Sequence, residues 1–335
     1  MMNRAESTSR PGSSNASNVM YTPRTPRMRE RQRFSLGIMP EEDNTDILED
    51  LAGQTWNIYA ASALFDFQRD DVHLKLYAKK LREEVASTLS HENVTYDAKF
   101  SVTQNLGSSS NHEDYLALGI QVVAKTSGPE KEVEKLIYKG LLLSWRMQST
   151  ESSIQNSIKL PLLLCRGTRN CMDAVNAIIS RMFDCSVVAL SANEDDLSWL
   201  IPIIIMSTDK EEQSIISGEV QMQYTVPELP ISDTITVKFH TEDLKKILSV
   251  IIKDQDTNVN VSLDREDIET FYEVLHKQML IEGGLKLGLC TLHRINLPGI
   301  SIMENKMKVT KADVMNNILV YFSDKAIDTF YAVDI

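Results

Sequence analysis

The clearest chemistry in these 335 residues lies in cations set at regular spacing. Lys306 and Lys308 alternate with Met307 and Val309, so an extended strand puts both ammonium groups on one face, with Lys311 just beyond. Arg166 and Arg169 flank the start of a helical stripe that includes Met172. These are candidate phosphate or DNA contacts, because Lys and Arg supply most backbone contacts to nucleic acid. The competing use of such residues is to sit in solvent and guard a strand edge against aggregation. Upstream, Thr22-Pro23-Arg24 and Thr25-Pro26-Arg27 are proline-directed kinase patterns followed by Arg29, Arg31 and Arg33. A phosphate on Thr22 or Thr25 would offset part of that arginine cluster.

Catalysis needs a constellation, and the common ones are missing. There is no G-x-G-x-x-G after a strand, Walker loop, H-E-x-x-H, G-x-S-x-G or kinase signature. The histidines at 73, 91, 112, 240, 276 and 293 stand singly, and His276 falls beside the apolar stripe of a helix, the setting of a structural histidine. Glu194, Asp195 and Asp196 cluster where a helix begins, which the positive helix end explains without acid–base chemistry. Gly283-Gly284 closes another helix. Cys165, Cys171, Cys185 and Cys290 match no C-x-x-C or zinc-ribbon spacing and read as reduced packing residues. No catalytic residue, metal, cofactor or small-molecule substrate is expected.

These side chains need a folded body, and a composition of 42% apolar residues supplies one. The net charge is −12, but residues 1–39 hold seven arginines against two acids, which leaves −17 on residues 40–335. A basic tail precedes an acidic body whose overall charge repels DNA. The longest apolar run, Leu200–Met206, is seven residues and contains Pro202, too short to span a bilayer. Met1–Ser17 carries no apolar core of a secretory leader, so the sequons at Asn93 and Asn260 read as chance matches.

Residues 1–44 are poor in aliphatics and are expected to be a disordered basic tail. A short helix to about Leu51 is followed by a strand-like run from Trp56 to Phe67. An amphipathic helix after Asp70 carries Leu74, Tyr77, Ala78, Leu81 and Val85 on one face. Strands are expected at 94–106, 115–126 and 133–148, then a short apolar run, Leu160–Cys165, broken by Pro161. A helix at 168–183, a strand at 185–190 and a helix at 194–206 close the first half. The polar stretch 207–213 is the preferred boundary, dividing the chain into domains at 45–212 and 213–335.

The second half continues with strands at 216–226 and 234–239 and two striped helices. One carries Leu244, Ile247, Leu248, Ile251 and Ile252, the other Ile268, Phe271, Tyr272, Leu275 and Met279. Strands at 285–296 and 300–309 follow. A capping box at Thr310–Asp313 opens a helix bearing Val314, Ile318, Tyr321 and Phe322, and residues 329–335 form a terminal strand. The class is α+β, with mainly antiparallel sheets and packed amphipathic helices in two subdomains. Trp56, Phe183 and Trp199 are expected in the core. Leu285, Leu287 and Leu289 alternate, and Phe330, Tyr331 and Val333 lie on a terminal strand with few guarding charges, which is either paired within its own sheet under the 314–322 helix or open to strand addition by another chain.

Several landmarks occur in a telling order. Trp56-Asn57-Ile58-Tyr59, Leu64-Phe65-Asp66-Phe67, Leu160-Pro161-Leu162, Phe183-Asp184-Cys185 and Leu197-Ser198-Trp199 resemble the centromere protein L family over roughly residues 50–205, continuing through the 264–279 helix. The resemblance implies a non-enzymatic inner-kinetochore scaffold in the nucleus. Its implied partners are centromere protein N, as a heterodimer for which residues 285–335 become the candidate interface, and other subunits of the constitutive centromere-associated network. Contact with the centromeric nucleosome is implied to be mostly indirect, and no membrane is involved. From the residues alone, a stand-alone DNA-binding or recombination-associated protein is the alternative, with the lysine strand and arginine tail as its contact surface.

Overall fold

A computed structural model describes residues 33–35, 45–90, 93–103, 117–127, 132–145, 156–207, 218–230, 232–252 and 262–331. In chain order the first half contains β1 (Arg33–Ser35), α1 (Thr45–Leu51), β2 (Thr55–Ala61), β3 (Leu64–Phe65), α2 (Asp71–Leu89), β4 (Val94–Thr103), β5 (Ala117–Ser127), β6 (Glu132–Leu143), β7 (Ser157–Ile158), β8 (Leu162–Gly167), α3 (Arg169–Met182), β9 (Val187–Ala189) and α4 (Glu194–Met206). The second half contains β10 (Glu219–Thr225), β11 (Thr234–His240), α5 (Thr241–Ile251), β12 (Ser262–Asp264), α6 (Arg265–Gly283), a 3-10 turn at Leu287–Leu289, β13 (Thr291–Leu297), β14 (Ile300–Met303), β15 (Lys306–Val309) and α7 (Ala312–Tyr331). The fold is α+β.

One sheet organises the molecule. Its antiparallel path runs β11-β10-β13-β14-β15-β2-β8-β6-β5-β4, with β9 pairing the far end of β2. The halves are joined where Lys306, Met307 and Lys308 pair with Asn57, Trp56 and Thr55. Backbone ladders therefore run without a break from one half to the other. The polar stretch expected as a boundary begins at the end of α4, and residues 208–217 lie outside the described ones.

The helices cover different faces at the two ends. In the first half, Leu118, Ile120, Tyr138, Leu163 and Cys165 form an apolar layer with Leu81 of α2 and Val175 and Ile179 of α3. On the other face Trp56, Ile58, Leu162 and Leu164 begin a second layer that continues through Met307, Ile302, Ile295 and Met222. That layer is covered by α4, α5, α6 and α7. In the middle, β2 and β8 are buried on both sides, which explains why Leu162-Leu163-Leu164-Cys165 is uniformly apolar rather than alternating. Trp56, Phe183 and Trp199 are all core residues, at most 1% exposed.

Five expectations are corrected. The single strand expected at 300–309 is a hairpin of β14 and β15, turned at Glu304 and Asn305. The tail is not without structure up to residue 44: β1 pairs with β12, and Phe34 is buried in the second-half core. The aromatic run after Trp56 is two strands, β2 and β3, separated by two residues. Residues 285–290 are not a strand, because Leu287 is drawn into the core by a 3-10 turn while Leu289 is turned outward. Residues 329–331 are not a strand either, because α7 runs on to Tyr331. The stripe that includes Phe322 and Ala326 repeats every four residues to reach Phe330, which packs against the core, and the Thr329 hydroxyl donates to the Lys325 carbonyl at 2.9 Å. Residues 332–335, including Val333, lie outside the described residues.

Candidate interaction surface

Because α4 to α7 cover one face of the second-half strands, the other face of β10, β13, β14 and β15 is left to polar side chains. Alternation puts Gln221 and Gln223 there from β10, with their neighbours Val220, Met222 and Tyr224 in the core. Cross-strand pairing then carries the polar row across the sheet: Gln221 opposite Asn296, Asn296 opposite Ser301, Ser301 opposite Lys308. A parallel row joins Gln223 to Arg294, Arg294 to Met303 and Met303 to Lys306. The turn from β13 to β14 is closed by Gly299 at φ +76°, where a Cβ would collide with the Thr310 side chain.

Lys306 and Lys308 project together from this face and are exposed. Their strand is interior, hydrogen-bonded to β14 on one side and β2 on the other. The edge-guard use of these lysines is therefore excluded, since β15 has no open edge to guard. Arg294 is held in the surface by Asn296 Oδ1 at 3.2 Å and Ser301 Oγ at 3.4 Å, and the Ser301 hydroxyl donates to Asn296 Oδ1 at 2.7 Å. Lys238 on β11 reaches Glu219 at 3.0 Å.

At the sheet's centre the first-half layer takes over this same side. Asn57, opposite Lys306, donates to the Met172 sulfur at 3.4 Å and the Cys165 carbonyl at 3.3 Å, so α3 begins where the polar rows end. Arg169, in the first turn of α3, is exposed and lies 4.0 Å from Asp173. Burial raises the Tyr59 phenol above its usual range, with Cys165 and Asp173 adding to the rise and Asn305 and Arg169 opposing it. Lys306, Lys308 and Arg169 thus stand on one side of the sheet.

Arg166 stands on the other. It is part-buried, donates to the Gln54 side chain, and sets its guanidinium 5.9 Å from the Trp56 ring. The Lys139 ammonium lies at the same distance from that ring, so both cations serve an aromatic of the core layer. Lys311 is half-buried in the connection from β15 to α7. The candidate cations are therefore divided between the two faces. Thr22 and Thr25 lie outside the described residues.

The expected partner interface is also divided. Leu285 and Phe330 are half-buried against the core, Leu287 is 1% exposed, and Leu289 is the solvent-facing member at 70%. Tyr331 ends α7. The path of the main sheet instead ends in two strands that have a neighbour on one side only among the described residues: β4 at the first-half end and β11 at the second-half end.

The polar positions of β10, β13 and β14 escaped the sequence reading, although Val220–Tyr224 alternates plainly. Burial pushes the Cys165 thiol up to about 12 and those of Cys171 and Cys185 to about 11, which keeps them protonated and unreactive. No group of three metal-ligating side chains occurs among the described residues, and no described helix is long and apolar enough to cross a membrane.

The family model of centromere protein L matches residues 50–328. The chain belongs to the centromere protein L family. No curated protein sequence matches it. The matched span takes in the whole main sheet and all the candidate cations from Arg166 to Lys311, while β1 and the arginine tail precede it. A member of this family is a structural component of the inner kinetochore, located at centromeres of nuclear chromosomes and acting in chromosome segregation.

Proposed function

We propose that this chain is a non-enzymatic scaffold subunit that pairs with centromere protein N and helps link centromeric chromatin to the kinetochore, together with other subunits of the constitutive centromere-associated network. The observation that carries the reading is the continuous sheet, which among the described residues offers a partner an unpaired strand at β11 and a polar face beside it. Strand addition at β11 would lengthen the sheet by backbone hydrogen bonds while Ile235, Val237 and Phe239 stay with the core. On this reading the partner docks within the expected 213–335 unit, but away from the chain end.

Co-expression with centromere protein N followed by gel filtration tests it. Proline is placed at Thr236 or, in a second variant, at Val237, since successive residues of a strand aim their amides to opposite sides. A variant that keeps the parent melting temperature and loses the complex supports the reading. Complexes retained by both folded variants overturn the β11 assignment, and no complex with the unaltered chain overturns the pairing.

A second reading, direct contact with DNA phosphates, is favoured by the exposure of Lys306, Lys308 and Arg169 on one side of an otherwise acidic protein. It is compatible with the scaffold role.

A further inference from the structure

The segment Arg33–Ser35 reaches across the sequence to a partner strand in the second half. Its three residues pair in antiparallel register with β12, placing Arg33 opposite Asp264, Phe34 opposite Leu263 and Ser35 opposite Ser262. Alternation splits the strand into two faces. Phe34 and Leu263 point inward, at 3% and 0% exposure, with the Phe34 ring 6.0 Å from Tyr321 of α7. Arg33 and Ser35 point outward over Ser262 and Asp264.

On that outward face Arg33 does two jobs. Its Nε lies 3.1 Å from the Asp264 carboxylate and donates to Ser262 Oγ at 2.6 Å. The Arg33 and Asp264 side chains are 65% and 47% exposed, so this pair is screened and weak. Among the described residues the strand is held by a buried aromatic anchor, a three-residue ladder, a hydrogen bond to Ser262 and a screened ion pair.

Ser35 is where such a charge can be added. It is exposed in the docked strand, and Arg31 and Arg33 stand four and two residues before it, the pattern read by arginine-directed protein kinases. Such a kinase transfers the γ-phosphoryl group of ATP to Ser35 Oγ. The new P–O bond forms as the bond to the β-phosphate breaks, ADP leaves, and the hydroxyl proton passes to the kinase's base. A kinase needs its substrate extended in its own cleft, so it acts on the undocked strand. Once present, a phosphate bearing about −1.5 to −2 charges faces Ser262 and sits diagonally from Asp264, at roughly 7–8 Å across the ladder. That lies within the ~8 Å screening length at physiological salt. Glu266 and Asp267 of the first turn of α6 follow directly. Arg33 is already committed to Asp264, and a phosphate that recruits it breaks that pair.

We infer that residues 33–35 form a docking strap, and that phosphorylation of Ser35 by an arginine-directed kinase unseats it from β12 and empties the Phe34 pocket. This inference does not depend on pairing at β11.

The test uses the full chain with phosphoserine encoded at position 35, compared with the parent and Ser35→Ala. Hydrogen exchange of residues 262–264 and trypsin cleavage after Arg33 report whether the strap is seated. Both should accelerate about tenfold or more in the phosphorylated chain, and stay at the parent rate in Ser35→Ala. Unchanged protection in the phosphorylated chain overturns the inference. In a second arm, an arginine-directed kinase acts on the parent, on Phe34→Ala, and on Asp264→Asn, which removes the charge partner while keeping a side chain suited to the N-cap of α6. A synthetic peptide of residues 28–40 sets the reference rate. The parent should be modified at Ser35 at least fivefold more slowly than the peptide, and the variants should approach the peptide. A parent modified as fast as the peptide, or Ser35 left unmodified in chain and peptide alike, overturns it.

Discussion

Replacing Lys306 and Lys308 together with glutamine asks whether the uncovered sheet face meets phosphate. Both side chains are exposed on an interior strand, and their partners Met303, Ser301, Asn57 and Thr55 hold the backbone in place from either side. The substitution should therefore leave stability within about 0.5 kcal/mol of the parent, as for surface changes away from caps and buried networks. Two residues along a strand are separated by about 6.6–6.8 Å, and phosphates rise by about 3.4 Å per nucleotide along one DNA strand. The two lysines can thus neutralise different phosphates rather than compete for one. Each neutralised phosphate adds about 0.9 to the slope of log affinity against log salt, so the pair adds about 1.8. Raising salt from about 50 to about 200 mM should then weaken the parent some 12-fold more than the double variant. Fluorescence anisotropy with a short labelled duplex measures both slopes, for the chain alone and for its complex with centromere protein N. Arg166→Gln is the control, because Arg166 lies on the opposite face beside Trp56. Equal slopes for parent and double variant, or a slope that falls only with Arg166→Gln, would refute the assignment of this face.

Lys325→Met should destabilise the fold by about 3–5 kcal/mol in urea unfolding, because it strands a buried carboxylate. Asp196 and Lys325 are 8% and 7% exposed in their side chains, and Asp196 also accepts from the Tyr321 hydroxyl at 3.0 Å and the Asn193 amide at 2.7 Å. Adding Asp196→Asn should recover part of that loss, and additive single effects would show that the pair is not coupled. Deleting residues 1–44 should lower the melting temperature by less than the ~3–5 kcal/mol of a buried Phe truncation implies, since Phe34 is lost but the ordering entropy of its segment is regained. An unchanged melting temperature would mean that β1 contributes nothing. Burial lowers the pKa of His276, so the unfolded chain binds its proton first and stability falls as pH drops below about 6.5. His276→Gln should flatten that fall, and an identical pH profile would contradict the assignment.

What the residues disclosed, and what they withheld, follows the range of the interactions involved. The stripe Leu74, Leu81 and Val85 of α2 and the alternation at Lys306–Val309 are set by local geometry, and both appear as read. The side-by-side placement of Lys306 and Lys308 needs only a strand. The division of Arg166 from Arg169 needs the three-dimensional structure, because one ends a strand whose neighbours fix its face and the other begins a helix on the opposite layer. The pairing of β15 with β2 joins residues remote in sequence, which no local period encodes. At residues 329–331 composition misled: Thr, Phe and Tyr favour strands, but the four-residue spacing from Phe322 through Ala326 to Phe330 rewards a helix with core contacts. Leu285, Leu287 and Leu289 alternate like a strand, yet one buried leucine fixes a turn there. Arg33–Ser35 is too short to carry any period at all.

The change of covered face along the sheet links these observations. With α2 and α3 on one side of the first half and α4 to α7 on the other side of the second, the central strands β2 and β8 become a two-sided core that couples the halves mechanically. Among the described residues no helix covers the other face of the second-half strands, and alternation fills it with Gln, Asn, Ser, Arg and Lys. Cations on that face are mounted on interior strands, where the ladder on either side limits their motion and fixes their spacing, as a phosphate-contacting surface requires. The strap lies on the covered side, its phenylalanine in the helical layer, and β11 lies at the end of the sheet. Three places that differ in chemistry are therefore separated by the sheet itself: the polar face with Lys306 and Lys308, the β11 end of the sheet, and the short strand docked on β12. Because they share no side chains, substitutions at Lys306 and Lys308, at Thr236 and at Ser35 should combine additively in stability, and a departure from additivity would show that the continuous sheet transmits changes between them.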